Sequence, residues 1–116
     1  MYRYFHDSEN STVYRVPLDA NVSEQKDRPN GGVKAYVVSV TVDVTRSDNY
    51  RKDGLWVHPV RIEWKQQFEN IGNRYNREQA IENFTNNYTS AYSEIEQVQY
   101  TDLESLYSSN AKNNKG

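Results

Sequence analysis

The sequence predicts an α+β fold: a small antiparallel sheet of three to four strands, covered on one face by a C-terminal amphipathic helix. Three observations carry this. From Val33 to Thr45 the even positions read Tyr36, Val38, Val40, Val42 and Val44, while the odd positions soften to Ser39, Thr41, Asp43 and Thr45. Period two with β-branched residues is the mark of a strand with one buried face. From Leu55 to Phe68 the pattern recurs, with Trp56, Val60, Ile62, Trp64 and Phe68 on one side and Arg61, Glu63, Lys65 and Gln67 on the other. From Ile81 the apolar positions fall at Phe84, Tyr88, Ala91, Ile95 and Val98, alternately three and four residues apart, which is a helical stripe.

Taken in order, Tyr2–His6 alternates and predicts a short edge strand. Ser11–Leu18 sets Thr12, Tyr14, Val16 and Leu18 on one side, with Pro17 limiting the strand because it cannot donate to a ladder. Ala20–Gly32 reads as a charged loop ending in Pro29-Asn30-Gly31-Gly32, a turn signal because Asn and Gly tolerate positive φ. The two long strands then form a hairpin over about 33–68, joined by the charged connection Arg46–Gly54. Asn70–Arg77 breaks at Gly72. Asn76 with Gln79 three residues on starts the helix of about 77–99, and Thr101 with Glu104 starts a short second one. A single domain over 1–107 and a disordered polar tail over 108–116 follow.

Composition narrows the functional classes. The 116 residues hold 35% hydrophobic residues, enough for one economical core, and ten Tyr, three Phe and two Trp supply much of it. Such aromatic surplus on a small polar domain also suits an interface, so a homo-oligomer is expected. The chain has no cysteine, which removes disulfides and thiolate chemistry. No apolar run reaches the roughly 18 residues of a membrane span, and the expected compartment is the cytoplasm. In its Asn- and Tyr-rich, Cys-free make-up the chain is similar to small phage or mobile-element proteins, a likeness of composition that matches no family.

Charge is unevenly placed. Residues 1–77 carry twelve basic and ten acidic side chains, whereas 78–111 carry six acidic ones (Glu78, Glu82, Glu94, Glu96, Asp102, Glu104) and no Lys or Arg. An acidic helix bearing an apolar stripe is a surface suited to a protein partner, with Glu78, Glu82, Glu94 and Glu96 as its contact residues. Net charge of −2 gives no broad footprint for nucleic acid. Six carboxylates over such a helix are also several-fold too dilute to mimic a duplex, which carries about one charge per 1.7 Å.

Chemistry-bearing motifs are sparse. The sequence has no glycine-rich phosphate loop, nucleophile elbow or HExxH, so no catalytic residue, cofactor or metal ligand is assigned. His58 falls in the Trp56–Val60 register and reads as a covered imidazole; His6 reads as a strand end beside Asp7. Two basic, aromatic clusters remain as anion contacts: Arg46, Tyr50, Arg51 and Lys52 around the hairpin tip, and Arg74, Tyr75 and Arg77 before the helix, where backbone donors and the helix dipole favour an anion. The expected function is a non-enzymatic protein-binding module, an inhibitor or assembly factor. The alternatives are a small-molecule or nucleotide sponge built on those arginines and tyrosines, and a structural subunit of a virion or secretion apparatus.

Overall fold

A computed structural model of the chain describes residues 1–26, 32–47, 51–52, 55–56 and 59–113. Its centre is one long strand, β4 (Val33–Arg46). One edge of β4 carries β7 (Val60–Glu69), paired without a shift from Ala35↔Glu69 to Val44↔Val60. This is the hairpin that the two alternating segments predict, except that its second strand begins at Val60 rather than Leu55, since Leu55–Trp56 pairs with Arg51–Lys52. The other edge carries two collinear strands: β3 (Asn21–Lys26) over Val33–Ser39, and β2 (Thr12–Pro17) over Asp43–Arg46. From Arg15 to Asn21 is six residues, against four from Asp43 to Ser39, so the segment around Pro17 absorbs two extra residues.

Beside β2 lies β1 (Tyr2–Asp7), and beside β1 lies β8 (Ser93–Ile95), all antiparallel. The main sheet therefore has six strands rather than three to four, and β1 is interior instead of an edge. The Ala20–Gly32 segment is also more than a loop. Its β3 has one apolar side chain, Val22, too little for a sequence signal, and takes its conformation from the open edge of β4. A second, two-stranded sheet pairs β5 (Arg51–Lys52) with β6 (Leu55–Trp56).

The single helix of about 77–99 is two elements. α1 (Arg77–Tyr88) starts as expected, with Asn76 Oδ1 accepting from Gln79 N–H at 3.0 Å. It ends at Thr89, whose hydroxyl and that of Thr85 donate to the carbonyls of Thr85 and Ile81 respectively. Such back-bonding weakens a helix, and no basic side chain stands in its last turn to favour the exposed carbonyls. The chain then turns, lays β8 on β1, and enters α2 (Gln97–Asn113). The Gln99 side chain accepts from Glu96 N–H at 2.9 Å, so this helix starts earlier than a Thr101 box would place it. It runs on to Asn113, through part of the stretch expected as a polar tail.

The two helices cover opposite faces. On the first face Phe5, Val16, Val38, Val40, Val42, Val44 and Trp64 pack under Ala80 and Phe84 of α1. Ile62, expected there too, is 37% exposed because α1 does not reach it. On the second face Val13 packs under Tyr100 and Tyr107 of α2, with Tyr4, Ile95 and Leu103 around them. Helix α2 is anchored by a 2.7 Å hydrogen bond between His6 Nε2 and Tyr107 Oη.

Candidate functional site

The expected anion-contact residues do not form one pocket. Arg46 closes β4, whereas Tyr75 packs on Tyr36 near its start, at 4.8 Å between ring centroids. Ten residues of strand, roughly 33 Å, separate Tyr36 from Arg46. Tyr50 and His58 lie outside the described residues, and Arg51 and Lys52 form β5. Arg74 and Tyr75 line a cleft of 490 Å³ with Tyr36, Glu69, Asn70 and Asn83. Gly72 shapes its rim at φ 70°, a left-handed turn that glycine takes without strain. Burial, and then the Glu24 carboxylate, push the Tyr75 phenol up to about 12, so it is a neutral hydroxyl.

Arg77 turns the other way. Its Nη2 donates to the Ala20 carbonyl at 3.2 Å, and it lines a separate groove of 390 Å³ with Arg3, Leu18, Glu78, Ile81 and Glu82. Leu18, 44% exposed, and half-buried Ile81 make the apolar part of this groove. Glu78 and Glu82, one turn apart on α1, make its acidic side. The groove brings together three of the expected contact residues, and sequence reasoning missed Arg3, Leu18 and Ile81. Leu18 carried a faint signal, as the apolar end of an alternating strand followed by Asp19.

Glu94 and Glu96 belong elsewhere, because the acidic stretch is not one helix. Glu94 sits in β8 opposite Phe5, and Arg3 grips it through Nε to Oε2 at 3.0 Å and Nη2 to Oε1 at 2.9 Å. This fork holds the Glu94 carboxyl below the usual range and the Arg3 guanidinium above its own. Arg3 Nη2 also donates to Asn86 Oδ1 at 3.3 Å, which ties β1, β8 and α1 together. Glu96 precedes α2 and is exposed.

On the second face lies an ion cluster that no spacing in the sequence announced. Asp43, 8% exposed, accepts from Arg15 Nε at 3.0 Å, and Arg61 Nε lies 3.3 Å from its other oxygen. Arg15 in turn stacks on the Tyr2 ring at 4.5 Å. These three residues meet only because β2, β4 and β7 align in register, Arg15↔Asp43↔Arg61. Tyr100 stands nearby, its phenol pushed up to about 12 by burial. Among the described residues no group of three or more His, Cys, Asp or Glu could hold a metal ion. The Arg3–Glu94 pair and the Arg15–Asp43–Arg61 cluster each tie neighbouring strands together.

No protein-family model, curated protein or solved structure matches this chain. No helix among the described residues is long and apolar enough to cross a membrane.

Proposed function

We propose that the protein is a non-enzymatic binding module that takes a basic, leucine-centred segment of another protein into the groove beside α1. The observation that supports this is the meeting of exposed Leu18 with Glu78 and Glu82 across one concave surface. Arg3 is already matched by Glu94, so Arg77 stands against the two carboxylates of Glu78 and Glu82 and the groove keeps one net negative charge. An apolar floor rimmed by charge is how small domains hold peptide partners. The test is a heteronuclear NMR titration with a synthetic Lys/Leu amphipathic peptide. Amide shifts clustered on Leu18, Ile81 and Glu82, lost in Glu78→Lys/Glu82→Lys, support the reading. Equal binding of a Glu/Leu peptide, or shifts elsewhere, overturns it.

A second reading is favoured by the Arg74–Tyr75 cleft, where one cation stands beside Tyr36 and Tyr75. That pairing suits a small aromatic anion such as a nucleotide, and a thermal-shift screen decides it, since a saturating ligand raises apparent stability.

A further inference from the structure

The open edge of β7 carries an inference that stands apart from the groove. Asn70 N–H donates inward to the Lys34 carbonyl at 2.8 Å, so even-numbered residues of this strand face β4 with their backbone groups. Odd-numbered residues turn theirs outward. No strand pairs with that side among the described residues. One side chain does: Tyr88, from the last turn of α1, accepts from Lys65 N–H at 3.0 Å and donates to the Lys65 carbonyl at 2.7 Å. A single hydroxyl thus does for Lys65 what an opposing residue does in a ladder. Its ring lies stacked on Trp64, 4.8 Å between centroids and 10° apart, and helps keep that indole only 6% exposed.

We propose that β7 is a self-association edge, on which two copies pair antiparallel about a two-fold axis through Trp64, and that Tyr88 closes this edge in the monomer. Charge complementarity selects the occupant, and charge together with the length of strand paired selects the register. An axis through Trp64 sets Glu63 against Lys65 of the second copy, twice by symmetry, and Arg61 against neutral Gln67. An axis through Lys65 sets Arg61 against Glu69 but opposes Lys65 to itself at its centre. One through Glu63 opposes Glu63 to itself and Arg61 to Lys65; one through Gln66 opposes Glu63 to Glu69. Like charges directly opposite destabilise a sheet, so these registers are disfavoured. An axis through Ile62 sets Arg61 against Glu63 but leaves the second half of β7 unpaired. The Trp64 register pairs residues 60–68, placing the indoles opposite each other and Val60 against Phe68.

This register also needs the groups that Tyr88 occupies. Residues 63 and 65 form a hydrogen-bonded pair in it, so the Lys65 N–H and carbonyl must exchange the phenol for Glu63 of the second copy. Tyr88 and the second strand therefore compete for one residue.

Sedimentation velocity across a concentration series tests this. Tyr88→Phe, checked for native secondary structure by circular dichroism, is expected to dimerise at least tenfold more tightly than the parent chain. Adding Glu63→Lys is expected to abolish that dimer, and adding Lys65→Glu as well to restore it by swapping the pair. A strictly monomeric Tyr88→Phe protein, or a dimer indifferent to Glu63→Lys, overturns the proposal. Should Tyr88→Phe fail to fold, cysteines placed in the Tyr88 protein decide the matter, because residues 62 and 66 face each other as a pair about 4.5 Å apart at Cα, within disulfide reach. Mixed Ile62→Cys and Gln66→Cys copies should oxidise to the heterodimer in preference to either homodimer. A statistical mixture, or no covalent dimer, sinks the register.

Discussion

Phe84 and Val98 lie on the same apolar stripe of the sequence, and truncating each in turn separates a continuous helix from the broken one. Phe84 is 0% exposed, wedged between α1 and the valine face of β4, with Tyr88 edge-on at 5.0 Å. Val98 is 73% exposed at the start of α2. Phe84→Ala removes a ring from a packed site, a change that costs about 3–5 kcal/mol. A domain of this size holds about 5–15 kcal/mol in total, so the variant keeps only a part of its stability. With a urea m-value of about 2 kcal/mol/M, its unfolding midpoint falls by about 2 M at unchanged slope. Val98→Ala loses almost no burial and gains helix propensity, so its stability stays within about 0.5 kcal/mol of the parent and its midpoint within about 0.25 M. On a continuous stripe both residues would be buried, and Val98→Ala would cost about 1.5 kcal/mol or more. Equal destabilisation by the two substitutions, or less than about 1 kcal/mol for Phe84→Ala, refutes the division of the helix and the packing assigned to α1.

Two further outcomes follow from the polar contacts. Glu94 is held below its usual 4.5 by Arg3, so its contribution to stability is present above that pH and is lost as pH falls through the lower folded value. With half of the Glu94 side chain exposed, the pair contributes no more than about 1 kcal/mol. Glu94→Gln should therefore lower the melting temperature at pH 7, and the gap to the parent should close as pH falls below 4.5 through the folded value; a gap that does not narrow in acid contradicts the ion-pair account. Thr45 is 0% exposed and its hydroxyl has no hydrogen-bond partner among the described residues, so the near-isosteric Thr45→Val should stabilise the protein by about 1 kcal/mol in the same urea assay. A loss of stability would mean that the hydroxyl has a partner.

What the sequence made legible was local. The β4–β7 pairing follows from two alternating segments whose only good register sets their apolar faces together, and Asn76 announces α1 through a contact that spans three residues. What stayed hidden depends on distant backbone. Ser93-Glu94-Ile95 continues a helical spacing perfectly well as sequence. It becomes β8 because β1 offers an open edge and Arg3 offers Glu94 a bidentate partner, 91 residues away. The candidate groove was half legible for the same reason. Arg77, Glu78 and Glu82 are helical neighbours, but Arg3 and Leu18 reach them only once the sheet is assembled.

The second face of β4 shows why composition misled. Ser39, Thr41, Asp43 and Thr45 look alike as the softened side of an amphipathic strand, and the simple expectation is that water meets all four. Thr41 is exposed and Ser39 half-buried, yet Asp43 and Thr45 are buried, because α2 packs on β1, β2 and β4, and Asp43–Arg46 is the part of β4 that β2 pairs with. That crossing is possible because α2 brings tyrosines. A leucine helix would leave Asp43 and Arg15 facing hydrocarbon, at a steep desolvation cost. Tyr100 and Tyr107 instead cover the face with rings whose hydroxyls tolerate polar neighbours, and Tyr107 finds His6. The tyrosine surplus that reads from sequence as interface material is thus spent partly within the fold, on lids for a polar face. The face of β7 that neither helix covers keeps its charges, and those alternate in sign along an edge that no strand among the described residues pairs: Arg61, Glu63, Lys65. A strand charged uniformly would repel its own copy. This one can lie along its copy from end to end with Glu63 on Lys65 and no like charges opposed, and the side chain standing in the way is another tyrosine.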